Sequence, residues 1–385
     1  MGDQPAIPLH QPQLGDEEVA ALQRCLEDGH LAGDGPVGRR VERLLVEITG
    51  SRHVLLTTSA TAALEIALEL LGIVPGDEVV CPSFGFPSSA NAVLLRGATP
   101  IFADIDEQTL CLDPADVAAV ATNATAALLP VDYASVAADL PALRAACPRD
   151  DVLVLEDAAH GIGARAHGKH LGLDAEAAAI SFHATKNLTS GEGGALLLQD
   201  DALAARAEVL REKGTNRAAF LRGEVDRYEW VDVGTSGAPS DLLAALLEVQ
   251  LQRLDSWTSI RQHQAEAYES ALAELFSEGL LRPQHVPAHC EPNGHLYSVR
   301  VRDAETRRRL AAHMAAAGIA APIHFVPLHG TAFAARRLGP QRPLPVTERV
   351  GATLLRLPMG PHLTEGDQQR VVQQLHTGLG LACPS

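Results

Sequence analysis

Closely spaced cysteines are missing from this sequence. Its six cysteines are scattered over 385 residues, and no two of them form a C-x-x-C pair. Because zinc cages and disulfide frameworks rest on such repeated spacings, the sequence argues against both. The 16 histidines contain no H-E-x-x-H pattern, so we expect no metal centre.

Long hydrophobic runs and an excess of positive charge are also lacking. No apolar run approaches the ~18 residues that a membrane helix needs, so we expect no membrane partner. The first residues carry neither the basic nor the apolar region of a signal peptide, which predicts a cytoplasmic protein. A net charge of −17 repels polyphosphate chains and argues against nucleic acid as a partner.

Seven apolar runs with β-forming residues mark the first part of the chain. They lie at residues 53–56, 78–81, 99–103, 126–130, 152–155, 178–182 and 194–198. Stretches rich in Ala and Leu lie between most of them, for example at residues 61–71, 88–95 and 137–146. Strands that alternate with helices predict an α/β fold with a mainly parallel sheet covered on both faces.

A different pattern occupies the rest of the chain. It comprises a long predicted helix at about 240–274, a strand at 295–301, a helix at 304–317, a short strand at 323–326 and a final helix at 364–377. We therefore expect a large α/β domain over residues 1–250 and a smaller α+β domain over residues 251–385.

Lysine is the scarcest charged residue. Arginine supplies most of the 31 basic residues, and lysine occurs only at positions 169, 186 and 213. Lys186 follows a predicted buried strand, where ligands of parallel sheets bind. An arginine there could not act as a free amine, because its guanidinium stays protonated. The position therefore indicates either a reactive amine or a surface lysine on a loop.

Asp157 comes directly after another predicted buried strand, at residues 152–155. A carboxylate in such a place is costly unless it meets a cation. A protonated pyridine nitrogen is one such cation, while a helix cap or a structural ion pair would also explain the residue.

Two further segments follow strands of the predicted sheet. Residues 57–61 place small hydroxyl side chains at the start of a helix, which suits a phosphate site or simple N-capping. Phe86 lies in the loop at residues 82–87, where its ring could stack on a ligand or pack into the core. An amine, an acid, a phosphate cradle and an aromatic ring at one sheet edge form a more specific pattern than any one of them.

Together these residues resemble the DegT/DnrJ/StrS family of sugar aminotransferases, which depend on pyridoxal 5′-phosphate (PLP). The family has the aspartate aminotransferase architecture, PLP-dependent fold type I. The resemblance runs from residues 33–36 to residues 327–330. Its most specific stretches are residues 75–79, 156–161, 181–187 and 211–217.

The resemblance implies a role for each cofactor-binding residue. Lys186 would hold PLP covalently and move protons, and Asp157 would pair with the pyridine nitrogen. His160 would lie near the phenolic oxygen, and Phe86 would stack on the ring. The phosphate would be held by Ser59, Ala60, Thr61 and Ser181, with Ser236 from the partner subunit of a homodimer, although a tetramer is also compatible with the sequence.

The resemblance also implies a reaction. Residues 211–217, with Tyr228, Trp230 and Asp232 behind them, are similar to the branch that aminates dTDP-4-keto-6-deoxyglucose at C4. L-Glutamate would be the amino donor and a nucleotide sugar the acceptor. The expected substrate contacts are Asn216, Arg217, Arg222, His324 and His329.

The segment at residues 234–241 departs from the family pattern. Many members have Asn where Ser236 stands, an aromatic residue in place of Gly237 and Arg in place of Ala238. One substrate-phosphate contact of the family is therefore missing here. The C4-aminating branch lacks it as well.

Three other functions remain open at this point. The chain could aminate another keto position of a sugar nucleotide, or bind PLP as a regulatory protein without turnover. A third alternative is an NAD-dependent oxidoreductase, because residues 161–166 match G-x-G-x-x-A after a strand. The residues that follow contain two more glycines and do not form an amphipathic pattern, which argues against a dinucleotide-binding helix.

Overall fold

The computed structural model describes residues 5–381. The strands are β1 (His53–Thr57), β2 (Glu78–Pro82), β3 (Thr99–Ala103), β4 (Thr125–Leu128), β5 (Leu153–Asp157), β6 (Arg165–Ala166), β7 (Lys169–His170), β8 (Ala177–Ser181), β9 (Gly194–Leu198), β10 (Arg282–Pro283), β11 (Cys290–Glu291), β12 (Tyr297–Arg300) and β13 (Leu354–Leu357). The helices are α1 (Asp16–Asp28), α2 (Pro36–Thr49), α3 (Ala60–Leu70), α4 (Pro87–Leu95), α5 (Pro114–Val120), α6 (Leu140–Ala145), α7 (Asp201–Arg211), α8 (Arg217–Leu221), α9 (Asp241–Leu251), α10 (Leu254–Ala271), α11 (Ala273–Ser277), α12 (Ala304–Ala316), α13 (Ala332–Leu338), α14 (Pro345–Thr353) and α15 (Glu365–Gly378). Short 3-10 turns occupy Tyr133–Ser135 and Leu328–Gly330.

A seven-stranded sheet forms the centre of the molecule, in the order β1-β9-β8-β5-β4-β2-β3. Strand β9 runs antiparallel to β1 and β8, and the other neighbouring pairs are parallel. The predicted mainly parallel sheet is confirmed, and each of the seven apolar runs is one of its strands. These strands could be found in the sequence because both of their faces are buried, so each forms a continuous apolar run.

Helices cover both faces of this sheet, as predicted. On one face, α3, α4 and α7 contribute buried residues such as Leu68, Val93 and Ala207. On the other face, α2 and α9 contribute Leu45 and Leu247. The two apolar layers hold the sheet rigid and leave its strand ends free for ligands.

Asp241 fixes α9 against the start of α2. Its two carboxylate oxygens accept hydrogen bonds from the backbone N–H groups of Val37 and Gly38, both at 3.0 Å. Although Asp241 is far from α2 in sequence, its carboxylate therefore caps the N-terminus of α2 and meets the positive end of the helix dipole. Gly35 is required beside it, since an added Cβ would lie 2.2 Å from an Asp241 oxygen.

The C-terminal part has its own sheet and core. Strands β10, β12 and β13 form an antiparallel sheet in the order β10-β12-β13. Its core contains Tyr268, Leu310 and Leu375, and Ile7 from the beginning of the chain packs into the same cluster. The domain boundary near residue 250 stays a prediction. None of the helices within residues 5–381 is long and apolar enough to cross a membrane.

Two predicted elements of this part are wrong. The helix expected at 240–274 is divided into α9, α10 and α11. The first break lies at Gln252 and Arg253, where Arg253 Nη1 contacts Glu18 Oε1 of α1 at 2.7 Å. The strand expected at 323–326 is irregular, and β13 is the strand that pairs with β12 instead.

Candidate active site

Two neighbouring strands bring the predicted acid and the predicted amine to one edge of the sheet. Strands β5 and β8 are parallel, with Asp157 beside Ala179. Asp157 is the last residue of β5, and Lys186 lies in the loop that follows β8. Because the carboxyl ends of parallel strands share an edge, the side chains meet where ligands of such sheets bind.

Lys186 lies in a loop that folds back on itself. Its backbone N–H donates to the His183 carbonyl at 2.9 Å, and Ala184 donates to Gly191 at 2.8 Å. The residue keeps some contact with solvent, but its amine is surrounded by protein. Burial lowers the pKa of Lys186 to about 8, Asp157 opposes this shift, and Arg356 adds to it. A substantial fraction of the amine is therefore neutral near physiological pH, as a nucleophile requires.

Asp157 is held in place by two donors. Its Oδ2 accepts a hydrogen bond from Ser89 Oγ at 2.7 Å, and its Oδ1 accepts one from the Ala159 N–H at 3.3 Å. Burial raises the pKa of Asp157, while Ser89 and the charge of Lys186 oppose the shift. The carboxylate is thus oriented in a desolvated place where a cationic ligand stabilises it.

His160 is fixed as a neutral donor. Its Nδ1 accepts a hydrogen bond from the Ala134 N–H at 3.2 Å, which assigns the ring proton to Nε2. Ala134 adopts a left-handed φ of 56° to present that N–H. Burial and the charge of Lys186 hold the pKa of His160 well below its usual value. Nε2 can therefore donate to a ligand without the ring becoming charged.

Aromatic and histidine rings form a wall around this group. The His160 and His295 rings stack with centroids 4.2 Å apart. Tyr133 Oη lies 3.1 Å from His324 Nδ1, and burial lowers the pKa of His324 to about 2. His295 Nδ1 lies 2.9 Å from Asn187 Oδ1. His324 thus lies in this wall, and its role toward substrate stays a prediction, whereas Tyr133 and His295 were not among the predicted site residues.

The sequence carried a signal for one of the missed residues. Tyr133 lies three residues after the end of the predicted strand at 126–130, and residues after strands line such sites. His295 stands just before β12 in the other part of the chain, so only the packing of the two parts brings it to the pocket.

The start of α3 forms a small cradle. Ser59 Oγ accepts the Ala62 N–H at 3.0 Å, and Thr61 Oγ1 lies 2.6 Å from Ser88 Oγ. The first turn of a helix leaves further N–H groups without partners in the helix, which suits a phosphate. Gly194 approaches from β9, and an added Cβ there would lie 2.4 Å from Ala60 N. A larger residue at position 194 would collide with the backbone of the cradle, so glycine is needed there.

Three other predicted cofactor contacts lie around the cradle or at the rim. Ser181 is buried at the end of β8, paired in register with Gly194. Phe86 is 62% exposed and lies at the N-cap of α4. Ser236 is also exposed, and its neighbour Gly237 accepts a hydrogen bond from the Thr58 N–H at 2.8 Å. Their contacts with PLP stay predictions.

Two expected substrate contacts have other partners in this chain. The Asn216 amide donates to the Arg227 carbonyl at 2.9 Å and accepts from the Glu229 N–H at 2.7 Å, which closes a loop. Arg222 pairs with Glu208 and Glu224, both at 2.8 Å. Both side chains are held by these protein groups, and their roles toward substrate stay predictions.

The last two expected contacts differ from each other. Arg217 Nη1 lies 3.4 Å from Asp34 Oδ2 and keeps a side chain that is 41% exposed. His329 is buried, with Nδ1 at 2.7 Å from Ser83 Oγ and Nε2 at 3.1 Å from Glu348 Oε1. Both ring nitrogens of His329 are thus occupied by protein groups, and its role toward substrate also stays a prediction.

The glycine pattern at residues 161–166 does not start a helix. It leads into the hairpin of β6 and β7, which pairs with β11. A dinucleotide-binding motif needs a helix N-terminus at this point to meet the pyrophosphate. The oxidoreductase alternative therefore has no structural support.

The residues of the pocket fit the three polar features of PLP. Lys186 offers an enclosed amine of lowered pKa for the aldehyde, and Asp157 offers a buried carboxylate for the pyridine nitrogen. The open cradle at the start of α3 suits the phosphate, since bulk at Gly194 is excluded. All three lie at the same edge of the central sheet.

Known proteins share both the sequence pattern and the fold. The profile of the DegT/DnrJ/EryC1/StrS aminotransferase family matches residues 12–376. The aminotransferase TlmJ from Streptoalloteichus hindustanus is 31% identical with a TM-score of 0.89, over 97% of this chain and 99% of TlmJ. DesV from S. venezuelae is 33% identical with a TM-score of 0.89, over 98% of this chain and 99% of DesV. The PLP form of Spr1654 from Streptococcus pneumoniae is 26% identical, also with a TM-score of 0.89, over 97% of this chain and 99% of Spr1654.

The match and the geometry lead to the same conclusion. The family profile spans nearly the whole chain, and an amine, an acid and an anion cradle lie at one edge of the central sheet. The chain therefore belongs to the DegT/DnrJ/EryC1/StrS family and is a PLP-dependent aminotransferase.

Proposed function

We propose that this enzyme transfers the amino group of L-glutamate to C4 of a nucleotide-linked 4-keto-6-deoxy sugar, specifically dTDP-4-keto-6-deoxyglucose. The observation that carries this proposal is the segment at residues 211–217, with Arg222, Tyr228, Trp230 and Asp232 behind it. This segment resembles the C4-aminating branch of the family. The product is a 4-amino-4,6-dideoxy sugar nucleotide.

Backbone bridges and a side-chain hydrogen bond hold this segment in a defined conformation. Thr215 and Trp230 pair as an isolated bridge, and Glu212 pairs in the same way with Ser236. The Asn216 side chain ties the two arms together through the backbone of Glu229. The loop between the arms is therefore a defined surface, which supports a specific role in substrate recognition or assembly.

Lys186 is the residue that moves protons in this proposal. When bound, PLP supplies an aldehyde that takes up amino groups and a ring that delocalises negative charge. Once its amine is released, Lys186 Nζ would take a proton from the substrate carbon that carries the nitrogen and return it to the cofactor carbon on the other side of that nitrogen. A pKa of about 8 suits both directions, because Nζ is readily protonated and readily deprotonated.

Asp157 and His160 set the electrostatics around that amine. The Asp157 carboxylate stabilises a proton on the pyridine nitrogen, and Ser89 and Ala159 keep it oriented. His160 donates from Nε2 while remaining neutral, since burial and nearby cations disfavour its charged form. Both residues act through fixed geometry, which costs no rearrangement during the reaction.

The active unit in this proposal is a homodimer. A run of large apolar side chains around α8 and the following loop is between 37% and 78% exposed. Its members are Phe220, Leu221, Val225, Tyr228, Trp230, Val231 and Val233. Apolar patches of this kind mark interaction surfaces, and the exposed Ser236 lies next to this run in sequence. A second copy that covers the patch would bring Ser236 to the neighbouring cradle.

A direct assay tests the substrate. The protein is saturated with PLP and incubated with L-glutamate and a panel of keto sugar nucleotides, and each product is identified by NMR. We expect an amino group at C4 of the 4-keto-6-deoxy sugar and an equal amount of 2-oxoglutarate. Amination of a 3-keto sugar instead would contradict the C4 assignment.

The same assay addresses the regulatory alternative. A regulatory protein would bind PLP, but glutamate would leave the yellow colour of the bound cofactor unchanged. We expect glutamate alone to bleach that colour and to release 2-oxoglutarate. Light scattering on the same sample tests the dimer, and a monomer at assay concentration would contradict the shared site.

A further inference from the structure

His10 contacts the loop that carries Lys186, although it lies far away in sequence. It belongs to the segment at residues 5–13, which precedes α1. Its Nε2 lies 3.1 Å from the carbonyl oxygen of Ala184, two residues before Lys186. Because a carbonyl oxygen can only accept, His10 donates this hydrogen bond from Nε2.

A second contact of His10 requires the same position of the ring proton. Arg261 Nη2 donates to His10 Nδ1 at 3.4 Å, so Nδ1 acts as an acceptor and carries no proton. Burial and the charge of Arg261 also lower the pKa of His10 to about 4. The ring is therefore neutral near physiological pH, and its one proton lies on Nε2, where the Ala184 carbonyl accepts it.

Arg261 is a buried cation whose partners are all neutral. It is 1% exposed, and within residues 5–381 its hydrogen bonds go to His10 Nδ1 and to the carbonyl oxygens of Gly294 and His295. Burial lowers the pKa of Arg261 to about 10, and the guanidinium stays protonated near physiological pH. Gly294 is needed beside it, since an added Cβ would lie 2.6 Å from Arg261 Cβ. No carboxylate thus competes with His10 for this guanidinium among the described residues.

The backbone of Ala184 is held on both sides. Its N–H donates to the Gly191 carbonyl at 2.8 Å, and its carbonyl accepts from His10. The Lys186 N–H closes the turn on the His183 carbonyl at 2.9 Å. The hydrogen bond from His10 therefore restrains the turn from which the Lys186 side chain projects.

The residue after Lys186 is held in a similar way. His295 Nδ1 donates to Asn187 Oδ1 at 2.9 Å, and the Asn187 amide donates to the Asn293 carbonyl at 3.3 Å. Arg261 Nη1 lies 3.5 Å from the carbonyl oxygen of His295. One buried arginine thus contacts both histidines that hold the chain on the two sides of Lys186.

We propose that His10 is a positioning residue for Lys186: its imidazole, oriented by Arg261, holds the loop so that the amine meets the aldehyde of PLP. In that step Nζ bonds to the aldehyde carbon, and the aldehyde oxygen leaves as water. The rate of such a step depends on how closely and in which direction the amine approaches the carbon. The cradle at α3 and Asp157 have no contact with His10, so binding of the cofactor itself should not depend on it.

The test starts from the apoprotein and needs no substrate. His10→Leu removes the donor, and His10→Gln restores an N–H donor on a side chain of similar reach. His362→Leu is the matched control: His362 Nε2 donates to the Pro8 carbonyl at 3.2 Å, so its loss loosens the same segment without removing a contact to the Lys186 loop.

Two quantities are measured for each protein at one pH. The first is the rate at which the yellow colour of covalently bound cofactor appears at saturating PLP. The second is the Kd of pyridoxamine 5′-phosphate, which has no aldehyde and therefore binds without reacting with Lys186. Thermal unfolding of each apoprotein shows whether the variants are folded.

We expect His10→Leu to capture PLP about 3- to 10-fold more slowly than the wild type, the range for one lost hydrogen bond between neutral groups. His10→Gln should recover most of the rate, and His362→Leu should match the wild type. The Kd of pyridoxamine 5′-phosphate should be the same in all four proteins, because the cradle and Asp157 are unchanged.

Three results overturn the inference. The first is capture of PLP by His10→Leu at the wild-type rate. The second is a Kd of pyridoxamine 5′-phosphate that rises as much as the rate falls, which would show a general disturbance of the pocket. The third is equal slowing in His362→Leu, which would assign the effect to the loosened segment. No sugar and no amino donor enters these measurements, so they remain valid if the proposed substrate is wrong.

Discussion

Replacing Asp157 by Asn separates charge from shape in the active site. Asparagine keeps the size of the side chain and an oxygen that can accept the contacts of Ser89 at 2.7 Å or Ala159 at 3.3 Å. What disappears is the negative charge that stabilises a proton on the pyridine nitrogen. Loss of one fixed electrostatic contact in an active site costs about 2.7–4 kcal/mol, so we expect a fall in kcat of about 10²- to 10³-fold.

The same substitution should leave the apoprotein at least as stable. Burial raises the pKa of Asp157, so the protonated carboxyl group contributes stability at low pH that is lost as the pH rises through that pKa. The Asn variant has no such loss near neutral pH. Because Asp157 holds the pKa of Lys186 up, that pKa should fall below about 8 in the variant.

Three measurements decide the matter. Initial rates of amino transfer give kcat, thermal unfolding of the apoprotein gives stability, and the pH dependence of PLP uptake reports the amine. Ser89→Ala is the matched control, since it removes one hydrogen bond and keeps the charge, and we expect a smaller loss of rate. An Asp157→Asn enzyme as fast as the wild type would refute the pairing, while a large loss of stability would assign the rate effect to misfolding.

Three further substitutions test the physical account. Asp132 and Glu156 are both buried, and burial raises the pKa of each carboxyl group. Wild-type stability should therefore fall as the pH rises through these pKa values, and Asp132→Asn should flatten that decline in thermal unfolding. Arg211→Met removes a buried arginine and leaves the partly buried carboxylates of Glu42 and Asp34 without it, which should cost about 3 kcal/mol in urea unfolding. Gly194→Ala forces a Cβ against the cradle, so we expect about 1–3 kcal/mol of destabilisation and weaker PLP retention on dialysis.

Each of these has a control and a contradicting outcome. Arg349→Met breaks an exposed pair and should cost at most about 1 kcal/mol, and a similar cost for Arg211→Met would contradict the buried network. An added Cβ at Gly366, at the start of α15, would meet only Thr364 Oγ1, at an ordinary 3.9 Å, so Gly366→Ala should be tolerated. Equal PLP loss in both glycine variants would contradict the cradle. A pH profile of Asp132→Asn that matches the wild type would show that the pair does not share a proton.

The sequence predicted the central sheet well because its strands are buried on both faces. The runs at 99–103 and 194–198 match β3 and β9 to the residue. Lys186 and Asp157 could also be found, since the costly acid ends one such strand and the scarce amine lies in the loop after another. Local pattern and fold agree at these positions.

Elements set by tertiary contacts could not be predicted in the same way. The break between α9 and α10 has no glycine or proline, and the contact of Arg253 with Glu18 depends on a helix far away in sequence. The apolar run at 323–326 lies between two prolines and finds no partner strand. Strand β13 is short and has Arg356 in its centre, so it has no clear apolar pattern.

Site residues that depend on tertiary contacts were missed for the same reason. His295 lies just before β12, outside the large sheet, and its ring stacks on His160 only because the C-terminal part packs against that sheet. Asn216 and Arg222 show the opposite case. Their motif is recognisable, but within this chain their side chains pair with Glu229 and Glu208.

The central claim is that PLP is bound covalently to Lys186, and borohydride trapping tests it most directly. The holoenzyme is reduced and digested, and the peptides are mapped by mass spectrometry. Lys169 and Lys213, the other two lysines, have side chains that are 60% and 57% exposed and serve as internal controls. The account predicts that the cofactor mass appears on the peptide with Lys186 and on neither control; a label on Lys169 or Lys213, or no label at Lys186, would contradict it.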